Sequence, residues 1–575
     1  MYVKVRKLAV LAVLWLALLA GSACAFQPED ALTSRPDDSV YIVLRLQNTS
    51  GFLQWLFSKE NLKIFAPLFL KGKSELEIMA VSEFVNALFS VNPMRSSAVV
   101  VGMTKNDAKL KTPFVQAALT FSPEVSTTVK RIEAGLARAS DVAKLLIGDS
   151  TAANFAETMI TIKKEKDNIY RVNNNIFMSA VDGTVLLGSS VTEIRKAVKS
   201  INDKDTRLFT KKARRFTAKD FMLMHMDLET AVKLNDDVKS KDLEVLKYFA
   251  KPLEAEFAFT RLADKFLMSI GLNFREAFKK KYADEIFAQA DKWQLVKGGN
   301  IDLAGIGGTA SPLLALGTYI DFDSLNEIEV WKPLLKSVLR NMRVRFKVSD
   351  EETKALLSGS LSLAVNGTAT YEGFKIPAVY ASQQGTKGAA AKVYDKLTNS
   401  QHFSKVKDGI LQLDSSVSPI SCLVADRGEK LGVYFAELAS LEQKPELMPA
   451  LADLMKRESI ASLWMDFAGI QSWILDESNG VMMMLAPLMT FGGYGKYYKG
   501  LQEVLTAELS VPSVAIWSES PEVVHYEFAV KEINPDNGLF MRILKVYQEL
   551  KAPANSKKAP EDSTKDTESR EDKSK

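Results

Sequence analysis

Val101-Gly-Met-Thr-Lys-Asn-Asp-Ala-Lys-Leu-Lys-Thr-Pro113 and Val365-Asn-Gly-Thr-Ala-Thr-Tyr-Glu-Gly-Phe-Lys-Ile-Pro377 each lead from an apolar strand pattern through a polar turn to a proline. Each covers twelve steps, and each Pro opens a short apolar run, Phe114-Val-Gln-Ala117 in one and Ala378-Val-Tyr-Ala381 in the other. Trp55 and Trp331 also match: each stands early in a helical pattern that follows a short strand pattern, so corresponding segments lie 264 to 276 residues apart. Repetition of this length indicates a duplicated module. The halves run roughly from 36 to 290 and from 300 to 548, joined through Lys279-Lys-Lys281 and the glycine-rich stretch Gly298 to Gly308. That stretch lacks the Gly-Lys-Ser/Thr ending of a phosphate loop and reads as a linker.

A smaller unit recurs within the halves. His225-Met-Asp-Leu228, Tyr319-Ile-Asp-Phe322 and Trp464-Met-Asp-Phe467 each end an apolar strand with Asp and an apolar residue. Val43-Leu-Arg-Leu46 holds the same place with Arg45 in the Asp position. A helical pattern follows each. After Asp321 the spacing Ser324-Leu-Asn-Glu327 reads as a capping box, with an apolar stripe at Trp331, Leu334, Leu335, Val338, Leu339 and Met342. The three Asp residues therefore read as strand-end and turn residues, not as a carboxylate cluster.

Hairpins supply the remaining signal. Ile176 to Val181 and Thr184 to Leu187 flank Asp182-Gly183, the dipeptide that primed two-residue turns favour. Ser190 then caps a helix with Ile194, Ala197, Val198 and Ile201 on one face. Cys422 to Ala425 and Leu431 to Phe435 repeat the plan around Asp426-Arg-Gly428, and Ser122-Pro123 opens a further helix. Strands joined by hairpins and followed by helices predict an α+β fold: two similar halves, each an antiparallel or mixed sheet with helices packed on one face.

The ends of the chain read differently. Lys4, Arg6 and Lys7 precede thirteen apolar residues, Leu8 to Ala20, and Gly21-Ser-Ala-Cys-Ala25 offers the small residues of a signal-peptidase site, with the cut between Ala25 and Phe26. Thirteen residues make a helix of only about 20 Å, short of a roughly 30 Å bilayer core. Residues 1–25 are thus expected to be a signal peptide. Lipid attachment at Cys24 is the weaker alternative, because Gly21 stands where that signal has Leu. No later apolar run reaches eighteen residues, so no transmembrane span is expected in the mature chain. The expected location is periplasmic or extracellular. Residues 551–575 contain no Val, Ile, Leu, Phe, Tyr or Trp and read as a disordered polar tail.

Composition excludes several functions. Lys plus Arg is 74 against 70 Asp plus Glu, and without the three n-region cations the balance is 71 to 70. Such a chain has no global electrostatic reason to bind nucleic acid or an anionic membrane; the local cluster Lys211, Lys212, Arg214, Arg215 and Lys219 reads as a solvated connector. Cys422, in an apolar run, is expected to be a buried and inert thiol. Three histidines, His225, His402 and His525, stand far apart in sequence, and no metal or cofactor is expected. No Gly-x-Ser-x-Gly elbow occurs. Gly148-Asp-Ser150 resembles the nucleophile block of one lipase and esterase family, but it lies deep in the chain, and the downstream match, Glu522-Val-Val-His525, falls in a strand pattern.

What remains is apolar excess. Phe52, Trp55, Phe65 and Phe69 crowd one helical region, and Met482, Met483, Leu485 and Met489 crowd another. These eight form the candidate surface for a lipid or other apolar ligand, because methionine and aromatic side chains adapt to irregular apolar shapes. The lead-in Arg35-Pro-Asp-Asp-Ser-Val-Tyr-Ile-Val-Leu44, after a signal peptide and before repeated strand–helix units, resembles a group of bacterial exported envelope proteins of uncharacterised function. The resemblance implies an exported, non-catalytic protein and brings no functional residues. The expectation is a binding or scaffold role toward an apolar ligand or an envelope protein, with an esterase-like exported hydrolase as the alternative.

Overall fold

The computed structural model describes residues 27–47, 96–120, 129–134, 162–209, 216–230, 253–273, 299–303, 311–482 and 495–546, with short breaks inside these ranges. Ten strands form the first array: β1 (Ser39–Leu46), β2 (Ser97–Lys105), β3 (Lys111–Thr120), β4 (Ile162–Lys164), β5 (Tyr170–Val172), β6 (Ile176–Val181), β7 (Thr184–Gly188), β8 (Asp220–Met226), β9 (Leu253–Arg261) and β10 (Lys265–Asn273). Ten more follow: β11 (Leu314–Ile320), β12 (Gly359–Tyr371), β13 (Phe374–Gln384), β14 (Phe403–Lys407), β15 (Ile410–Leu413), β16 (Cys422–Asp426), β17 (Lys430–Phe435), β18 (Ala461–Asp466), β19 (Ser513–Ser520) and β20 (Val523–Ala529).

Every pairing among them is antiparallel. The first array is ordered β4-β5-β6-β7-β3-β2-β1-β8-β9-β10. The second is ordered β14-β15-β16-β17-β13-β12-β11-β18-β19-β20, the same topology strand for strand. The arrays join edge to edge, β10 against β20, with Ile270 facing Val524. The product is one sheet of twenty strands.

This corrects the α+β expectation of two sheets with helices on one face. Strand dominates over helix among the described residues, and there is a single antiparallel sheet. The physical reason lies at the junction. β10 and β20 would each leave a row of unpaired N–H and C=O groups, and pairing them to each other removes both edges. The two outer edges, β4 and β14, instead carry Lys163, Lys164, Lys405 and Lys407, which discourage further pairing.

The helices α1 (Val191–Asn202), α2 (Phe322–Glu327), α3 (Lys332–Phe346), α4 (Asp350–Leu357), α5 (Ala389–Thr398), α6 (Pro449–Met455), α7 (Phe467–Leu475) and α8 (Gly495–Leu505) lie in the connections. Ser190 caps α1, accepting from the Glu193 N–H at 3.1 Å, and Ile194, Ala197 and Ile201 are buried. α2 begins at Phe322, so Ser324 and Glu327 lie within the helix and not at its N-cap. Ser349 and Glu352 form one instead, at the start of α4.

The chain divides into two compact units, Met1–Ile470 with Val511–Lys531, and Gln471–Ser510 with Glu532–Lys575. The first holds the whole sheet. Its larger core packs Ile301, Tyr380, Tyr434, Leu451, Leu454, Trp464 and Trp517, and the Trp464 Nε1–H donates to the Pro312 carbonyl at 3.1 Å. A smaller core gathers Leu32, Tyr41, Val43, Val100 and Phe114. The second unit contains α8, whose Gly500 lies where a Cβ would meet Val546, and a bridge between Glu508 and Gly538.

Candidate functional site

Most of the residues singled out for an apolar ligand, Phe52, Trp55, Phe65, Phe69, Met483, Leu485 and Met489, lie outside the described residues, as do Ala25, Phe26 and Ser150. Met482 is half-buried in a helical turn, and its carbonyl accepts from the Tyr498 hydroxyl at 3.3 Å. The recurring Asp residues sit at separate strand ends. Asp227 accepts from the Thr230 N–H at 3.2 Å, and Asp466 from the Gly469 N–H at 2.9 Å in the first turn of α7. Burial pushes the Asp466 carboxyl up, against the pull of the Gly469 and Ala468 backbone N–H groups. Cys422 is buried, and burial pushes its thiol up to about 11.

The central strands β8, β9, β10, β20 and β19 carry two contrasting faces, because side chains alternate along each strand. Register places Trp517, His525, Ser269 and Ala258 in one row across β19, β20, β10 and β9. The Ser269 hydroxyl lies 2.7 Å from His525 Nδ1, and His525 Nε2 lies 3.4 Å from a Glu519 carboxylate oxygen. Trp517 stacks on the imidazole at 5.0 Å, and the Arg457 guanidinium covers Trp517 at 3.8 Å. Both Arg457 and Lys265 reach Glu527 at 2.8 Å. The hydrogen bond to Glu527 is the main cause that raises the Lys265 pKa and keeps it charged.

Serine, imidazole and carboxylate in sequence are the parts of a nucleophile, base and orienter. Three features weigh against acyl transfer. Ser269 is in the middle of β10 with β9 and β20 on either side, so the backbone N–H groups around it are committed to the ladders and do not form an oxyanion hole. The nearby cations are occupied by Glu527. Glu519 is also 62% exposed, a poor anchor for an imidazole. His225 makes a second buried polar contact on the same face, with Nδ1 at 2.8 Å from Glu254 and Tyr41 stacked at 4.5 Å.

The opposite face is largely apolar, with Asp220 and Arg261 at its margin. Met222 and Met224 of β8, Phe257 and Phe259 of β9, Phe266, Met268 and Ile270 of β10, Val524, Tyr526 and Phe528 of β20, and Ile516 of β19 share it through the register. All eleven are half-buried, not sealed. Phe259, Phe266 and Phe528 form a chain of ring contacts at 5.8 and 6.2 Å, and Tyr526 stacks on Phe528 at 6.1 Å. The strand patterns at His225 and His525 are legible in the sequence, but the apolar face that these strands share is not. Their signal was alternation: Val523-Val-His-Tyr-Glu-Phe-Ala529 puts His525 and Glu527 on one side and Val524, Tyr526 and Phe528 on the other.

No protein-family model matches the sequence, and no curated protein or solved structure is similar to it.

Proposed function

We propose that the chain is an exported, non-catalytic binding protein of the bacterial envelope that holds an apolar ligand on the Met- and Phe-rich face of β8, β9, β10, β20 and β19. The supporting observation is the half-buried Met and Phe surface that crosses the junction of the two arrays. Five strands at about 4.8 Å spacing extend roughly 20 Å, enough for a long acyl chain to lie across them. Methionines at 222, 224 and 268 conform to a ligand without a fixed shape. Export rests on the basic and apolar pattern of residues 1–25.

Mass spectrometry of small molecules co-purifying with the mature chain tests this reading. A stoichiometric lipid or similar apolar compound is expected, and it should be lost from Met268→Lys while the melting temperature changes little. Ligand-free protein from its native envelope would refute it. A second reading, the exported hydrolase, is favoured by the Ser269–His525 contact. Covalent labelling of Ser269 by a fluorophosphonate, abolished in Ser269→Ala, would establish that reading; no labelling is expected.

A further inference from the structure

α3 is an outer-layer helix. Its Met342 and Phe346 pack against the cluster of Val348, Leu356 and Val393 contributed around α4 and α5, and Leu335 is its only buried residue. The rest of its surface faces outward with an unusual composition. Trp331 at its N-cap is 44% exposed, Leu334 53% and Val344 58%. Lys332, Lys336, Arg340, Arg343, Arg345 and Lys347 stand on the same stretch, and Trp331 to Lys347 contains no Asp or Glu. Arg343 is tied to Asp350 at 3.0 Å. Among the described residues Lys336, Arg340 and Arg345 have no acidic partner, and all three are exposed.

From this charge complementarity we propose that α3 docks on the surface of an anionic lipid bilayer. An interfacial helix needs a basic face and large apolar side chains that enter the headgroup region, Trp above all. α3 has both, over fifteen residues or about 22 Å. No helix among the described residues is long and apolar enough to cross a membrane, so this attachment is peripheral. The near-neutral charge of the whole chain does not oppose it, because the attraction acts within a Debye length, about 8 Å at physiological salt. A protein partner with an acidic face would use the same cations but would not require large apolar side chains, Trp331, Leu334 and Val344, exposed on the same helix.

Co-sedimentation of the mature chain with vesicles decides the matter. Binding is expected to phosphatidylglycerol vesicles, to be weak to phosphatidylcholine vesicles, and to fall in 0.5 M salt. Lys336→Gln with Arg340→Gln should weaken it roughly 25-fold, at roughly fivefold per cation. Leu334→Ser should weaken it at unchanged salt dependence. Both variants alter exposed positions, and circular dichroism verifies that they fold. Equal binding to the two lipids, or variants that bind like the parent, would overturn the proposal. So would absence of vesicle binding while the same variants lose an envelope protein in cross-linking, which would assign the face to that protein.

Discussion

Replacing Gln116 by Leu should release the segment from Pro28 to Arg35 from the body of the first array. Gln116 is fully buried on β3. Its side-chain oxygen accepts from the Thr33 N–H at 2.8 Å and from Arg35 at 3.2 Å, and its amide donates to Thr33 Oγ1 at 2.9 Å and to the Glu193 carbonyl at 3.1 Å. Leucine fits the space but orphans a buried amide, which costs about 1–3 kcal/mol, and forfeits three further bonds at roughly 1 kcal/mol each. About 4–6 kcal/mol should be lost. The loss need not register as global unfolding, because the segment can detach as a local unit. Native-state hydrogen exchange reads this directly. The Leu32, Thr33 and Ser34 amides should exchange roughly a thousandfold faster or more, following a loss of at least about 4 kcal/mol, while the amides of β12 and β13 hold their rates. Unchanged exchange at Thr33 would refute the claim that Gln116 holds the segment. Equal acceleration everywhere would refute the claim that the segment opens independently.

Acid should loosen the same segment. Burial raises the Glu193 pKa, but the hydrogen bond and charge of Arg35, aided by Lys196, outweigh it and leave the carboxyl below its ordinary 4.5. The stabilisation is therefore present above about 4.5 and lost as pH falls through the lower folded value; urea midpoints of the parent should decline there relative to Glu193→Gln. Glu352 behaves alike: its hydrogen bond to Lys396, the largest cause, with that from Ser349, lowers it to about 2. The contribution of the α4 cap should thus persist to lower pH than that of Glu193, a difference visible by circular dichroism in Glu352→Gln. Cys422 should resist iodoacetamide at pH 8 in the folded protein and react on denaturation, since burial holds its thiol near 11.

Local chemistry was legible and distant pairing was not. Val181 faces Thr184 across the Asp182-Gly183 position, and Ser190 caps α1, because turn and cap preferences act within a few residues. The four short strand motifs around Arg45, Asp227, Asp321 and Asp466 fall at β1, β8, β11 and β18, which pair two by two. The β10–β20 junction joins residues about 256 apart and leaves no local trace, so two sheets were expected where one exists. The same distance hid Ser269 from His525. In α3 the 3.6-residue period was read correctly as helix, but Trp331 and Leu334 point outward because that helix rests on other helices and buries only a narrow strip. Periodicity reports that a stripe exists, not what covers it.

The duplicated arrays solve one packing problem in two ways. His225 on β8 and Trp464 on β18 hold the same place in matching motifs, His225-Met-Asp and Trp464-Met-Asp. Trp464 is flanked across its ladders by Ala315 and Ala515, all three buried. His225 is flanked by Tyr41 and Glu254, also buried. A large central ring between two methyl groups is exchanged for a smaller ring between two larger neighbours, one stacked on it and one hydrogen-bonded to it. Each set is complementary only as a set, so the effects of substitution within it should be far from additive. Trp464→His alone opens a cavity and strands an imidazole, costing about 3–5 kcal/mol. Adding Ala315→Tyr and Ala515→Glu should recover most of that loss, although each of those alone overpacks the core by about 1–3 kcal/mol. Urea denaturation of the three singles and the triple gives the coupling. A triple variant as unstable as the sum of its singles would show that the backbones of the two arrays, and not only their side chains, have diverged at this layer.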